Sequence, residues 1–466
     1  ILHKNISVFL TLPIIPKMIK IFQSLFCIAA LALVTAEVKA QNPLVTNQFT
    51  ADPSARVFNG RVYVYPSHDI KAAPGRGRAG WFVMEDYHVF SSANLTDWTD
   101  HGMIVSQTKV PWADPASFSM WAPDCIARNG KYYFYFPTTT KPETAGGRGR
   151  FAIGVAVGDK PTGPFKIEPE PIKGVLGIDP NVFIDKDGQA YLYWSQGNIF
   201  AAKLKANMLE IEGEVQTLAD LPTKGLKEGP YLYKHKDTYY LTYPHVENKI
   251  ERLEYATSKS PLGPFKFTGV IMDENPTGCW TNHHSIIEYK GQHYLFYHSN
   301  DLSPNFDKNR SIRADSLFFN TDGTIKKVIP TFRGVGLTQA SSKIQIDRYS
   351  DKGEDATVSF IDTAKVFDGW KSILPATKNG WIKYNSVNFG KAKPKTVTVK
   401  AWSAKGGTLE IRDGSISGQI IATVKIPQGT AWRSITVPVT SPKTGIHHLG
   451  VAAKNAAVEV DWISFQ

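Results

Sequence analysis

The chain has 466 residues, a length that at about 150 residues per domain spans two to three domains. Hydrophobic residues make up 42%, charged residues 20% and aromatics 12%, which excludes a disordered or coiled-coil protein and points to an all-β fold or a sugar-handling surface. The formal charge of +11 falls to +8 when residues 1–40, with four Lys and one Glu, are set aside. Spread along the chain without a Lys/Arg-rich run, this excess argues against a nucleic-acid partner.

Lys17 and Lys20 precede an apolar run from Ile21 to Val34, and Val38-Lys39-Ala40 offers a small-residue cleavage site before Gln41. Residues 1–40 therefore read as a secretory signal peptide, and the protein is expected to be exported, to the periplasm or outside the cell. The run is too short and too poorly flanked for a membrane span, and nothing later in the chain is longer, so no membrane span is expected. Two cysteines remain, Cys125 and Cys279, whose pairing the sequence leaves open. No CxxC is present, so neither zinc nor redox chemistry is indicated.

Five tight-turn dipeptides follow: Asn59-Gly60, Asn129-Gly130, Asp187-Gly188, Lys236-Asp237 and Lys290-Gly291. Asn-Gly and Asp-Gly accept the positive φ of a two-residue hairpin turn. Three residues beyond the last residue of each, or close to it, lies a tyrosine in an aromatic strand: Tyr63, Tyr133, Tyr191, Tyr240 and Tyr294. The intervals of 70, 58, 49 and 54 residues between turns predict a repeat of several short strands without helices, the size of a propeller blade. Five such units predict a five-bladed β-propeller over 41–342, with the tyrosines packing blade against blade.

Eight or nine residues upstream of each turn stand Asp52, Trp121, Asp179, Glu228 and His283. The first strand of a propeller blade is usually innermost, so these five positions are expected to ring a central funnel. Carboxylates are rarely buried without a partner, which makes three of them on one axis a chemical rather than a packing signal. Glycoside hydrolysis needs such a set: a protonated acid at the leaving oxygen and an ionised carboxylate on the other face of the sugar. A third carboxylate raises the pKa of the acid by like-charge repulsion, and Trp121 supplies an apolar wall. Asp124, out of phase with the ring, reads as structural support, and Asp86 in MEDYHVFSS as a loop residue at the pocket rim. Gly75-Arg-Gly77-Arg-Ala-Gly80 satisfies GxGxxG, but no helix follows to bind a phosphate, so it reads as a loop over the pocket.

The segments TADPSARVFNGRVYVY, SMWAPDCIARNGKYYFYFP, IDPNVFIDKDGQAYLYW, KEGPYLYKHKDTYYLTYP and TNHHSIIEYKGQHYLFYH resemble the inner hairpins of glycoside hydrolase family 43, inverting five-bladed propellers. The resemblance implies Asp52 as general base, Glu228 as general acid and Asp179 as the residue that tunes the acid and orients the others. It implies His283 as the axial histidine near a calcium or water cluster, with His284 a weaker candidate. Arg310, in RSIRADSLFFNTDG, matches the substrate-contacting arginine, alongside Trp121 and His283. No cofactor is implied as required, and calcium would be structural.

From 343 to 466 short alternating runs such as TVTVKAW, TLEIRDG and VEVDWISF predict a β-sandwich. GWIKYNSVNFG and QGTAWRSITVPV resemble family 6 carbohydrate-binding modules, jelly rolls in which two loop aromatics clasp a sugar. The resemblance implies Tyr384 and Trp432 for that role and puts Trp462 in the core. Glu459 stands where such modules usually place a ligand-binding Asn.

The expected protein is thus a monomeric, exported, inverting exo-glycosidase of the α-L-arabinofuranosidase or β-xylosidase type, acting on an oligo- or polysaccharide. The alternatives are an exo-galactanase or endo-arabinanase on the same scaffold, or a catalytically dead glycan-binding propeller.

Overall fold

Left-handed backbone at paired turn residues closes the first hairpin of three repeats, while the third has only Gly188 and the fourth only Lys236 in that conformation. At Asn59-Gly60 the two φ angles are 49° and 72°, and at Asn129-Gly130 they are 51° and 74°. This geometry suits the right-handed twist of the strands it joins. The computed structural model describes residues 42–143, 147–218, 221–222, 224–303, 305–360 and 370–466, with Phe360 described for its backbone alone. The segment read as a signal peptide lies outside the described residues.

Each repeat is a four-stranded antiparallel sheet with its strands in chain order. The five first strands are Phe49–Phe58, Asp124–Arg128, Ile178–Ile184, Tyr231–His235 and Ser285–Tyr289. They neighbour one another around the axis, making the fold a five-bladed β-propeller. Aromatic and branched side chains fill each of the five seams between blades. Tyr63 and Tyr133 pack against two of these clusters, and Tyr191 and Tyr240 lie within two more. Tyr294 packs on the fifth, which joins Leu44, Val45, Val62 and Phe90 to Phe296 and Ile312.

That last seam closes the ring between the first and fifth blades. The chain entering the first strand runs beside the start of Ser311–Phe319, with Leu44 N–H donating to the Ile312 carbonyl and, just inside the strand, Thr50 N–H to that of Arg310. Asn42 adds side-chain bonds to the Ala314 and Thr331 carbonyls.

Two six-stranded sheets follow, carrying strands from Thr338–Gln339 to Val458–Phe465. Alternation puts Ile382 and Tyr384 of one sheet and Val397, Val399, Val458 and Val460 of the other into a shared apolar core, a β-sandwich. Arg333 ties this sandwich to the propeller, donating to the Asn385 carbonyl and lying over the Tyr384 ring. Cys125 and Cys279 are both buried as free thiols. Among the described residues, no helix is long and apolar enough to cross a membrane.

Candidate active site

Two aspartates reach the funnel because the backbone breaks its ladder at them. Asp52 (φ 47°) and Asp179 (φ 57°) each precede a proline in a left-handed conformation, and strand register slips beside both. Such a bulge re-aims a side chain, and strain of about 1–3 kcal/mol per residue is typical of functional sites. In the fourth blade the same slot before Pro230 is taken by Gly229 (φ 54°), because a Cβ there would lie 2.9 Å from Pro244 and 3.0 Å from His283 Nδ1. The carboxylate of that blade accordingly sits one residue earlier, at Glu228.

Asp52, Trp121, Asp179, Glu228, His283 and Arg310 all line one cavity of about 180 Å³. That is small beside the roughly 300–1,000 Å³ of common ligand pockets and suits one sugar ring. The structure therefore brings the five ring positions and Arg310 together.

Arg310 organises the base side. Asp69 takes its Nε and Nη2 in a fork, both at 2.9 Å, while Nη1 reaches Asp52 Oδ1 at 2.8 Å and Thr281 Oγ1 at 3.1 Å. Ser67 Oγ donates to the other Asp52 oxygen at 2.7 Å. Burial would raise the pKa of Asp52, but the Arg310 guanidinium, helped by His298 and His283, holds it at about 2. Asp52 is thus ionised, as a base must be. His298, fully buried, is pushed to about 3 by burial and by Arg310, so it is neutral. Its Nδ1 accepts the Asp52 backbone N–H at 3.1 Å, and its Nε2 faces the Thr281 carbonyl at 2.9 Å, which fixes the tautomer.

On the acid side the shifts run upward. Asp179 accepts from Ser195 Oγ and from Gly229 N–H, each at 3.0 Å, yet burial and the Glu228 charge raise its pKa. Burial raises Glu228 as well, opposed by a hydrogen bond from Glu251. Glu251 is fully buried and is pushed well above the usual carboxylate range by burial and by Glu228. The completely dehydrated partner takes the proton first, so Glu251 is the neutral donor in this pair.

Asp69, His298, Ser67 and Glu251 escape a reading of the first strands because they belong to the second and third strands of their blades. Trp81 and Trp280, 39% and 37% exposed, also line the cavity from loops. Trp81 follows the glycine-rich segment, and Arg78 lies 4.5 Å from its ring.

Several expectations are corrected. Asp86 opens the strand Asp86–Ser92 rather than a loop and bonds His68 at 2.6 Å. His284 turns away from the cavity, its Nε2 2.6 Å from Thr242 Oγ1. Tyr384 is fully buried, bonding Thr338 through its hydroxyl, so it presents no face to a sugar. Trp462 is half-buried beneath Lys343 instead of lying in the core. Trp432 is half-buried with its ring 6.5 Å from that of Trp402, whose Nε1 donates to Glu459 at 2.9 Å. Asp124 is a structural brace, accepting from Ser54, Arg56, Asn181 and Val182 across three blades.

Residues 40–325 match the glycosyl hydrolases family 43 model, and 351–466 match that of the family 6 carbohydrate-binding modules. The chain belongs to glycoside hydrolase family 43 and carries a family 6 module after its catalytic propeller. It is 37% identical over 332 residues to a xylosidase/arabinosidase 43A of Humicola insolens, covering 61% of this chain and 98% of that protein. An arabinoxylan arabinofuranohydrolase of Bacillus subtilis (strain 168) is 28% identical over 475 residues, covering 87% of this chain and 88% of the relative. Among solved structures, the β-xylosidase/α-arabinofuranosidase CoXyl43 from a compost microbial metagenome, with xylotriose and calcium-free, is similar at TM-score 0.55 and 37% identity. The match covers 62% of this chain and 98% of that one.

Proposed function

We propose that this glycoside hydrolase removes single arabinofuranosyl or xylosyl residues from xylose-based plant polysaccharides, with inversion at the anomeric carbon. The observation that carries the reading is the pairing, in one small cavity, of an ionised Asp52 with a Glu228 whose pKa is raised. Asp52 deprotonates a water that attacks the anomeric carbon. Glu228 gives its proton to the leaving oxygen, so that bond cleavage releases a neutral alcohol. Burial and the nearby Asp52 carboxylate raise the pKa of Glu228, Asp179 orients the acid through its bond to the Gly229 N–H, and Trp121 backs the sugar ring. A cavity suited to one ring favours release from chain ends over internal cleavage. The names of the xylosidase and arabinofuranohydrolase relatives support the choice of sugar.

Calcium would be structural. Asn282 is buried with neither side-chain polar atom partnered among the described residues, and His283 follows it on the cavity wall. The Asn282 carboxamide oxygen fits a calcium that keeps most of its water, and the His283 imidazole would meet the ion only through that water shell. The bound ion would supply positive charge to the carboxylate cluster.

Export is part of the same proposal, resting on the charged and apolar pattern of residues 17–34. The deciding experiment is proton NMR of the first-formed product with α-arabinofuranoside and β-xyloside substrates. An inverted anomer is expected, and a retained one overturns the mechanism.

A further inference from the structure

We propose that His68, Asp86 and His88 form a binding site for a borderline-soft divalent cation of the zinc type, outside the sugar cavity. Ser67 pairs with Tyr87 across the antiparallel strands Arg61–Asp69 and Asp86–Ser92. One step along the ladder, His68 faces Asp86. The two-residue period of a strand then sets His88 on the same face as Asp86. One ligand atom from each of the three lies within 4.8 Å of the others, and the imidazoles meet edge to face at 5.2 Å. Their side chains are 19–20% exposed, sheltered yet reachable by an ion.

A second layer supports the first. His88 Nδ1 lies 3.0 Å from Asp100 Oδ1, and Asp100 is held by Gln48 Nε2 at 3.0 Å and by Gly102 N–H at 2.7 Å. A carboxylate behind an imidazole fixes its tautomer, leaves the other ring nitrogen for a metal and makes that nitrogen more basic. Two imidazoles and one carboxylate select zinc, nickel, copper or iron, whereas calcium and magnesium want oxygens. Three protein ligands leave a coordination position for water. The site would also brace the strand whose next residue, Asp69, grips Arg310.

The test is equilibrium dialysis of the chelator-treated full chain against Zn²⁺ alone, with elemental analysis, and Co²⁺ substitution followed by visible absorption. Wild type should take up one equivalent that calcium in excess does not displace, and should show Co²⁺ ligand-field bands. The His68→Ala/His88→Ala double variant should lose both signals, with its fold checked by circular dichroism. Asp100→Asn, which leaves all three ligands in place, should weaken uptake about 10- to 100-fold. No stoichiometric uptake by wild type, equal uptake by the double variant, or displacement by calcium would each overturn the proposal.

Discussion

Arg310 reaches Asp52 from 258 residues away, its Nη1 lying 2.8 Å from Oδ1, while its other face is locked in the carboxylate fork of Asp69. The cation is therefore a holder of the base as well as a wall of the cavity. In Arg310→Gln the pull that offsets burial is lost, so the Asp52 pKa should climb from about 2. The acid limb of kcat/KM should move to higher pH with it. An unmoved acid limb would show that Arg310 does not set the ionisation of Asp52.

Glu228→Gln keeps the shape of the acid and removes its proton. Losses of about 10²- to 10⁴-fold in kcat/KM are expected on natural glycosides. Aryl glycosides with activated leaving groups need little protonation and should lose far less. Equal losses on both substrate types would remove Glu228 from the acid role.

Asp179 should trade stability for function. Its folded pKa is raised by burial and by Glu228, so the folded protein binds more protons than the unfolded chain above pH 4 or so. Its contribution to stability is therefore unfavourable at neutral pH and vanishes in acid. Asp179→Asn can still accept from Ser195 and Gly229, and it should melt on the order of 3 °C higher than wild type near neutrality. The gain should disappear near pH 4, and activity should be lost throughout. A lower melting temperature at neutral pH would show that the charge is better compensated than described.

The buried Glu251 gives a two-variant test. As a neutral donor it stabilises the ionised form of Glu228, so Glu251→Leu should raise the Glu228 pKa and carry the alkaline limb upward. A hydrogen bond to a charged group is worth about 1.5–3 kcal/mol, which corresponds to roughly one to two pH units. Glu251→Gln keeps a donor and should leave the limb where it is. A downward shift in the Gln variant would mean that Glu251 is charged in the wild type.

With Tyr384 inside the core, the half-buried Trp432 is the aromatic left from the pair expected to hold sugar. Trp432→Ala should leave kcat/KM on aryl glycosides unchanged and weaken retention on arabinoxylan in affinity electrophoresis. Unchanged retention would assign the sandwich a purely architectural duty.

What was legible in the sequence follows from how local each signal is. Asn59-Gly60 and Asn129-Gly130 announce their turns through backbone preference alone, and Asp52-Pro53 and Asp179-Pro180 share a conformation that points both carboxylates inward. Asp69, Glu251 and His298 carry no such mark. They are ordinary strand residues until neighbouring strands bring them beneath the funnel. At Tyr384 resemblance and local pattern point apart: Ile382 and Tyr384 alternate with more exposed neighbours and so point inward together.

The seam between the first and fifth blades has a biosynthetic consequence. Asp52 emerges early and Arg310 late, so the base has no counter-ion until nearly the whole propeller has left the ribosome and the ring has shut. Hydrolytic power thus arrives as a last act of assembly, and a nick that loosens residues 42–50 from Ser311–Phe319 should silence the enzyme while four of its blades stay intact.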